Sequence, residues 1–117
     1  MKKVYYLSSC STCKRILDQL NLDDFETQDI KKTPITGKQI QEMFKLSLSY
    51  EALFSRRAIK YKTMGLKNKT LQESDCKDLI IKEYTFLKRP VFIVADKIFI
   101  GNSKKTIETL KTYLANE

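Results

Sequence analysis

The stretch Val4-Tyr5-Tyr6-Leu7-Ser8-Ser9-Cys10-Ser11-Thr12-Cys13-Lys14-Arg15-Ile16-Leu17 decides the reading of this chain. A short apolar run stops at two serines, two cysteines follow three positions apart, and Ile16, Leu17 and Leu20 then recur at helical spacing. The pattern predicts a strand, a turn, and a helix over roughly Cys13 to Leu20 with both thiols on its first turn. The free N–H groups and partial positive charge of a helix start favour a thiolate over a thiol, and Lys14 and Arg15 add cations. A Cys-x-x-Cys pair on such a turn is a redox-site pattern. Cys10 is the candidate nucleophile, because the N–H groups of Thr12 and Cys13 converge on its sulfur. Ser11 and Thr12 on the same turn are candidates for anion binding, and Cys13 is the candidate resolving thiol.

Outward from this turn, Phe25-Glu26-Thr27-Gln28-Asp29-Ile30 alternates as a second strand does. Thr36-Gly37-Lys38-Gln39 is a capping box that opens a helix with Ile40, Met43 and Phe44 on one face. Ser49 predicts the cap of a short helix through Leu53 and Phe54. Gly65 and Lys67-Asn68-Lys69 read as a turn, and Ser74 as the start of a helix carrying Cys76, Leu79, Ile80 and Tyr84. Pro90-Val91-Phe92-Ile93-Val94 and Ile98-Phe99-Ile100 form a hairpin pattern around Ala95-Asp96-Lys97, followed by a final helix with Ile107, Leu110 and Leu114 inward. The order β-α-β, helices, β-β-α predicts an α/β chain of 117 residues forming one domain. Its outer elements are those of a thioredoxin-like fold, with a helical insertion over about residues 34–86.

Composition narrows the chemistry. The net charge is +8, from 22 Lys and Arg against 14 Asp and Glu, which favours anionic partners. The lysines are scattered rather than gathered into a basic run, so direct nucleic-acid binding is not expected. Histidine is absent, which excludes His-containing zinc sites and Cys-His or Ser-His catalysis. Three cysteines are too few for an all-thiolate zinc site and an odd number for a disulfide scaffold, so no metal is expected. No apolar stretch approaches the ~20 residues of a membrane helix, and no secretory signal is evident. The expectation is a cytoplasmic protein without membrane contact, monomeric by default, that binds no organic cofactor. Cys76, in a helix, reads as a small buried hydrophobe.

Two further features bear on the thiols. Arg89-Pro90 precedes an apolar strand, and the pattern alone leaves a cis bond beside the thiols and a trans proline at a strand edge both open. Arg56 and Arg57 offer bidentate hydrogen bonds to an oxyanion or carboxylate, although a pair of arginines on a helix also makes an ordinary solvated face.

The cysteine motif, the inserted helices, the arginines before Tyr61-x-x-Met64-Gly65-Leu66, and Lys88-Arg89-Pro90-Val91-Phe92-Ile93-Val94 together resemble the arsenate reductase family over nearly the whole chain. The resemblance implies a thioredoxin-like fold, Cys10 as nucleophile, and Arg89 before a cis Pro90. That family includes glutaredoxin-linked arsenate reductases and the Spx transcription regulators that bind RNA polymerase. Two departures stand out. Family enzymes surround the oxyanion with three arginines. Here Arg56 or Arg57 supplies one and Arg89 a second, while the third position falls in Gly101-Asn102-Ser103-Lys104-Lys105. Losing one charge-assisted contact weakens anion binding by ~1.5–3 kcal/mol. Cys13 is the other departure, since a second thiol there is typical of Spx-like proteins rather than of the glutaredoxin-linked enzymes.

Two functions are therefore expected as alternatives. In one, Cys10 attacks a small oxyanion such as arsenate, or a disulfide, and glutathione with glutaredoxin, or thioredoxin, or Cys13 completes the cycle. In the other, the pair senses oxidation in a regulator that engages RNA polymerase.

Overall fold

The computed structural model describes residues 1–116. The chain divides into two compact units, one formed by Met1–Thr33 together with the segment from Arg89 onward, the other by Pro34–Lys88.

In the first unit, β1 (Lys2–Tyr6), α1 (Ser11–Asp18) and β2 (Glu26–Asp29) come from the N-terminal segment. From the C-terminal segment come β3 (Val91–Val94), β4 (Lys97–Ile100) and α6 (Lys104–Ala115). The strands form one sheet in the order β2-β1-β3-β4. β1 runs parallel to β2, with Tyr6 opposite Asp29 as the last register pair, and antiparallel to β3. This is the α/β, thioredoxin-like arrangement expected from the sequence, and it places the β1–α1 turn at one end of a central strand.

The reason for the order lies in β3, whose four residues are all buried. Alternate residues point to opposite faces, so an unbroken Val-Phe-Ile-Val run suits a strand covered on both sides. Phe92 and Val94 join Val4, Ile16 of α1, and Ile107 and Leu110 of α6 in one core cluster. Phe25 meets the Phe92 ring edge-on at 6.1 Å. Truncating Phe92 to Ala would cost about 3–5 kcal/mol. The hairpin turn is shorter than expected: Val94 pairs with Lys97, leaving only Ala95 and Asp96 in the loop. Ala95 takes φ 55°, the left-handed backbone that two-residue hairpins demand.

In the second unit, α2 (Gly37–Ser47) begins at the expected capping box. The Gln39 N–H donates to Thr36 Oγ1 at 3.1 Å, and the Thr36 N–H donates to Gln39 Oε1 at 3.2 Å. Its end is unmarked in the sequence, because Leu48 rather than a glycine adopts the left-handed cap, at φ 61° and 75% exposed. Ser49 caps α3 (Tyr50–Leu53), accepting from the Ala52 N–H at 3.0 Å, and the Glu73 carboxylate accepts from the Tyr50 and Glu51 N–H groups at 2.7 and 2.9 Å. α4 (Ile59–Thr63) leads to Gly65 at φ 68° and a 3-10 turn over Leu66–Asn68. α5 spans Glu73–Lys82. It starts earlier than the expected Ser74, since Gln72 and Asp75 form the capping pair and leave Ser74 inside the first turn. Tyr84, expected on that helix, belongs instead to a following 3-10 turn, Tyr84–Phe86. Phe54 stacks on Phe86 at 5.1 Å in this unit's core.

Candidate active site

Cys10 is the N-cap residue of α1, with extended backbone at φ −97° and ψ 111°, and its side chain makes no capping bond. The Cys10 N–H donates to Leu7 O at 3.0 Å, closing the turn after β1, and the Cys10 carbonyl accepts the first helical bond from Lys14 N at 3.1 Å. Backbone groups thus fix the residue from both sides and leave its sulfur facing the Cys13 N–H at the start of α1. Helices normally fill the N-cap position with an oxygen that satisfies the orphan N–H groups.

The two thiols of the pair sit in opposite electrostatic environments. Partial burial alone would raise the Cys10 thiol. The Cys13 N–H, the Cys13 thiol, and the hydrogen bond and charge of Arg89 outweigh it and hold Cys10 below its ordinary value of 9.0. Cys13 is fully buried. Burial chiefly, with the neighbouring Cys10 sulfur, pushes its thiol up to about 11. The arrangement supplies a sulfur that ionises more readily than a free thiol and, one turn along, a thiol that stays protonated at neutral pH and hydrogen-bonds to it. All three cysteines are free.

The cation that favours the Cys10 thiolate is therefore Arg89, while Lys14 and Arg15, on the same helix, are exposed. Arg89 arrives from the far end of the chain by the pairing of β3 with β1, and the Arg89–Pro90 bond is cis. Ser11 is exposed and Thr12 half-buried on the first turn of α1. Arg56 and Arg57 belong to the second unit, in the link between α3 and α4, and both are exposed. The Arg56 guanidinium lies 5.7 Å from the Phe54 ring centre, and the Arg57 N–H donates to Ser55 Oγ at 3.3 Å. Lys104 and Lys105 are exposed on the first turn of α6. Cys76 is fully buried on α5, where burial pushes its thiol up. Among the described residues, no three Cys, Asp or Glu side chains cluster as metal ligands.

One residue of this site was not singled out in the sequence. Asp29, at the end of β2, is only 9% exposed, and its Oδ1 accepts from the Ser8 N–H at 3.3 Å and the Lys31 N–H at 3.2 Å. Burial pushes this carboxyl up, but hydrogen bonds from Ser8 and Lys31 and the charge of Lys32 outweigh it and hold it below the usual value. The only trace in the sequence is an acidic residue where an alternating strand stops.

Residues 5–110 match the model of the ArsC family. Among solved structures, the chain is similar to a possible arsenate reductase from Streptococcus mutans, at 28% identity and a TM-score of 0.72, covering 95% of this chain and 98% of that one. It is similar to a Staphylococcus aureus protein at 27% identity and a TM-score of 0.72, covering 93% and 97%. With an arsenate reductase from Vibrio cholerae it shares the fold at 17% identity and a TM-score of 0.71, covering 94% and 95%. No curated protein matches the chain.

Proposed function

The chain belongs to the ArsC family, and from that premise we propose that it is a thiol-dependent reductase in which Cys10 attacks a small oxyanion, arsenate being the leading candidate. The observation that carries the reading is the placement of Cys10 at the start of α1 beside Arg89, which favours its thiolate, with the buried Cys13 thiol, pushed up to about 11, one turn along. A nucleophile needs the first environment; a thiol kept protonated until its partner has reacted needs the second. The similarity to the Streptococcus mutans protein supports arsenate as the anion.

The chemistry balances with no metal or organic cofactor. The Cys10 thiolate displaces one oxygen of arsenate, which leaves as water after taking protons, and an S–As(V) bond forms. Arg89 and the N–H groups at the start of α1 offset the negative charge of the bound anion. A second thiol, from glutathione or from Cys13, then attacks the Cys10 sulfur. An S–S bond forms, the S–As electron pair passes to arsenic, and arsenite leaves as As(III). Glutaredoxin or thioredoxin reduces the resulting disulfide. With a disulfide as substrate, the same sulfur would form a mixed disulfide that Cys13 resolves.

The Cys13 thiol, hydrogen-bonded to Cys10, favours a second reading: a redox-sensing regulator of the Spx kind, with the Cys10–Cys13 disulfide as its switch and RNA polymerase as its partner. The decisive experiment is arsenate-dependent NADPH oxidation in a coupled glutathione, glutaredoxin and glutathione reductase assay, beside a thioredoxin-coupled control. Turnover that disappears in Cys10→Ser is the expected result, and Cys13→Ser shows whether the internal thiol resolves the intermediate. No arsenate turnover with either reductant would overturn the oxyanion reading and favour the switch.

A further inference from the structure

Asp29 gathers two N–H groups from separate segments of the chain onto one carboxylate oxygen. It is almost wholly buried, its Oδ1 carries both the Ser8 and Lys31 bonds, and its Oδ2 is buried with no hydrogen-bond partner among the described residues. Hydrogen bonds from Ser8 and Lys31 and the charge of Lys32 outweigh the desolvation of this carboxylate, yet one of its two oxygens stays buried and unmatched. Such a group in a native fold calls for a specific explanation, and its position supplies one. The β1–β2 pairing ends at Tyr6 and Asp29, with the Ile30 N–H donating to Tyr6 O at 2.9 Å. Beyond that point the sheet no longer holds the chain that leads to the nucleophile. Ser8 lies inside the turn closed by the Cys10 N–H and Leu7 O, and its N–H is fixed across the turn by Asp29. The same oxygen ties down the start of the loop after β2 through Lys31.

We propose that Asp29 is a positioning residue for the Cys10 thiol, its carboxylate locking the Leu7–Cys10 turn to the end of β2. The proposal rests on Cys10 being the reactive thiol, as argued above, but not on arsenate being its substrate. The groups that favour the Cys10 thiolate, the Cys13 N–H and Arg89, act over hydrogen-bond distances. A turn free to shift by about 1 Å would lose much of their effect. Asp29 therefore acts through the placement of the sulfur. Its own negative charge works in the opposite direction, against a nearby thiolate.

That opposition makes the test decisive. In the intact chain, the rate of Cys10 alkylation by iodoacetamide is followed against pH by the mass of the Cys10 peptide, for the wild type, Asp29→Ala, Asp29→Asn and Asp29→Glu. In Asp29→Ala the midpoint of the profile should rise and the rate at neutral pH fall roughly tenfold. Asp29→Asn keeps an acceptor oxygen for both N–H groups, so its midpoint should stay at or below that of the wild type, with the rate within about twofold. Asp29→Glu keeps the charge but misplaces the oxygens and should behave like Asp29→Ala, which keeps the proposal testable if Asp29→Ala fails to fold. Unchanged profiles in all three variants would make Asp29 a merely structural residue and overturn the proposal. So would midpoints lowered equally in Asp29→Ala and Asp29→Asn, the signature of charge alone. A wild-type Cys10 that reacts no faster than in the urea-unfolded chain would instead remove the premise. Because no oxyanion enters the assay, absence of arsenate turnover leaves these outcomes intact.

Discussion

The starts of α1 and α2 are built from the same backbone and finished in opposite ways. At α2, Thr36 and Gln39 exchange side-chain and backbone hydrogen bonds, so the N–H and side-chain groups that could meet a ligand are already matched. At α1 the N-cap is a cysteine with no capping bond, no acidic residue occupies the first turn, and the cation Arg89 comes in from the end of another strand. Ser103, at α6, follows the α2 pattern, accepting from the Thr106 N–H at 3.1 Å. A helix start can contribute either to stability or to chemistry. What separates the two is whether the orphan N–H groups are satisfied by a neighbouring side chain or left for a reacting atom.

Cys10→Ser breaks the comparison most sharply. It should lower Cys10-dependent turnover by a factor on the order of a thousand or more in the coupled assay. The serine hydroxyl enters an extended N-cap like that of Thr36 and can accept an N–H bond, so urea unfolding should show the same variant more stable by about 1 kcal/mol. A variant that lost both reactivity and stability would contradict the idea that α1 is left uncapped for function.

Arg89→Ala removes the cation from the reactive start. The pH midpoint of the Cys10 thiolate, followed by its ultraviolet absorbance, should move up, because a positive charge that favoured the anion has gone. Loss of a charge-assisted bond worth ~1.5–3 kcal/mol corresponds to about 10- to 100-fold less thiolate below that midpoint. Lys14→Ala, on the same helix but exposed, is the control and should shift it far less.

Cys13 tests the buried side of the pair through stability. Its folded-state thiol titrates at about 11, above the ordinary 9.0. Its contribution is therefore complete below pH 9.0 and lost as pH rises through about 11. Urea unfolding across that window should show wild-type stability falling more steeply than in Cys13→Ala. Parallel curves would mean the thiol is easier to ionise in place than its burial implies.

The smallest effect belongs to the finished start. Thr36→Ala should cost about 1 kcal/mol in urea unfolding and leave the Cys10 alkylation profile unchanged.

What could be read from the sequence follows the range of the interaction. The capping box at Thr36, the Ser49 cap and the strand-turn-helix around Cys10 depend on residues within four positions of each other, and their spacing is their geometry. β3 was read as a strand of a hairpin; that it is covered on both faces is a finding of the structure, consistent with its unbroken apolar run. Leu48 and Ala95 escaped notice because the surrounding fold imposes left-handed backbone on residues that do not ordinarily seek it. The start of α5, placed at Ser74, lies at Glu73, because a Gln72–Asp75 capping pair sets it and glutamine is not a residue that usually marks a helix start. At the site, Cys10 and Cys13 could be found by pattern. Arg89-Pro90 was marked by its proline, but the role of the arginine came through resemblance, since strand pairing rather than spacing brings it to the sulfur. Asp29 was missed for the same reason: it meets Ser8 through the parallel register of β1 and β2, which no local pattern announces.

Cys76 has a use that its chemistry does not suggest. It is sealed within the second unit, while Cys10 stands half-open in the first. Each thiol can be labelled and identified separately by peptide mass, so the chain carries native probes in both units, Cys10 and Cys13 in the first and Cys76 in the second. Cys76 reacts only when its own surroundings open, and its labelling rate under native conditions, divided by that of an unfolded thiol, gives the free energy of that opening. Measured beside global unfolding in urea, it would tell whether residues 34–88 breathe as an independent foldon or open only when the whole chain does.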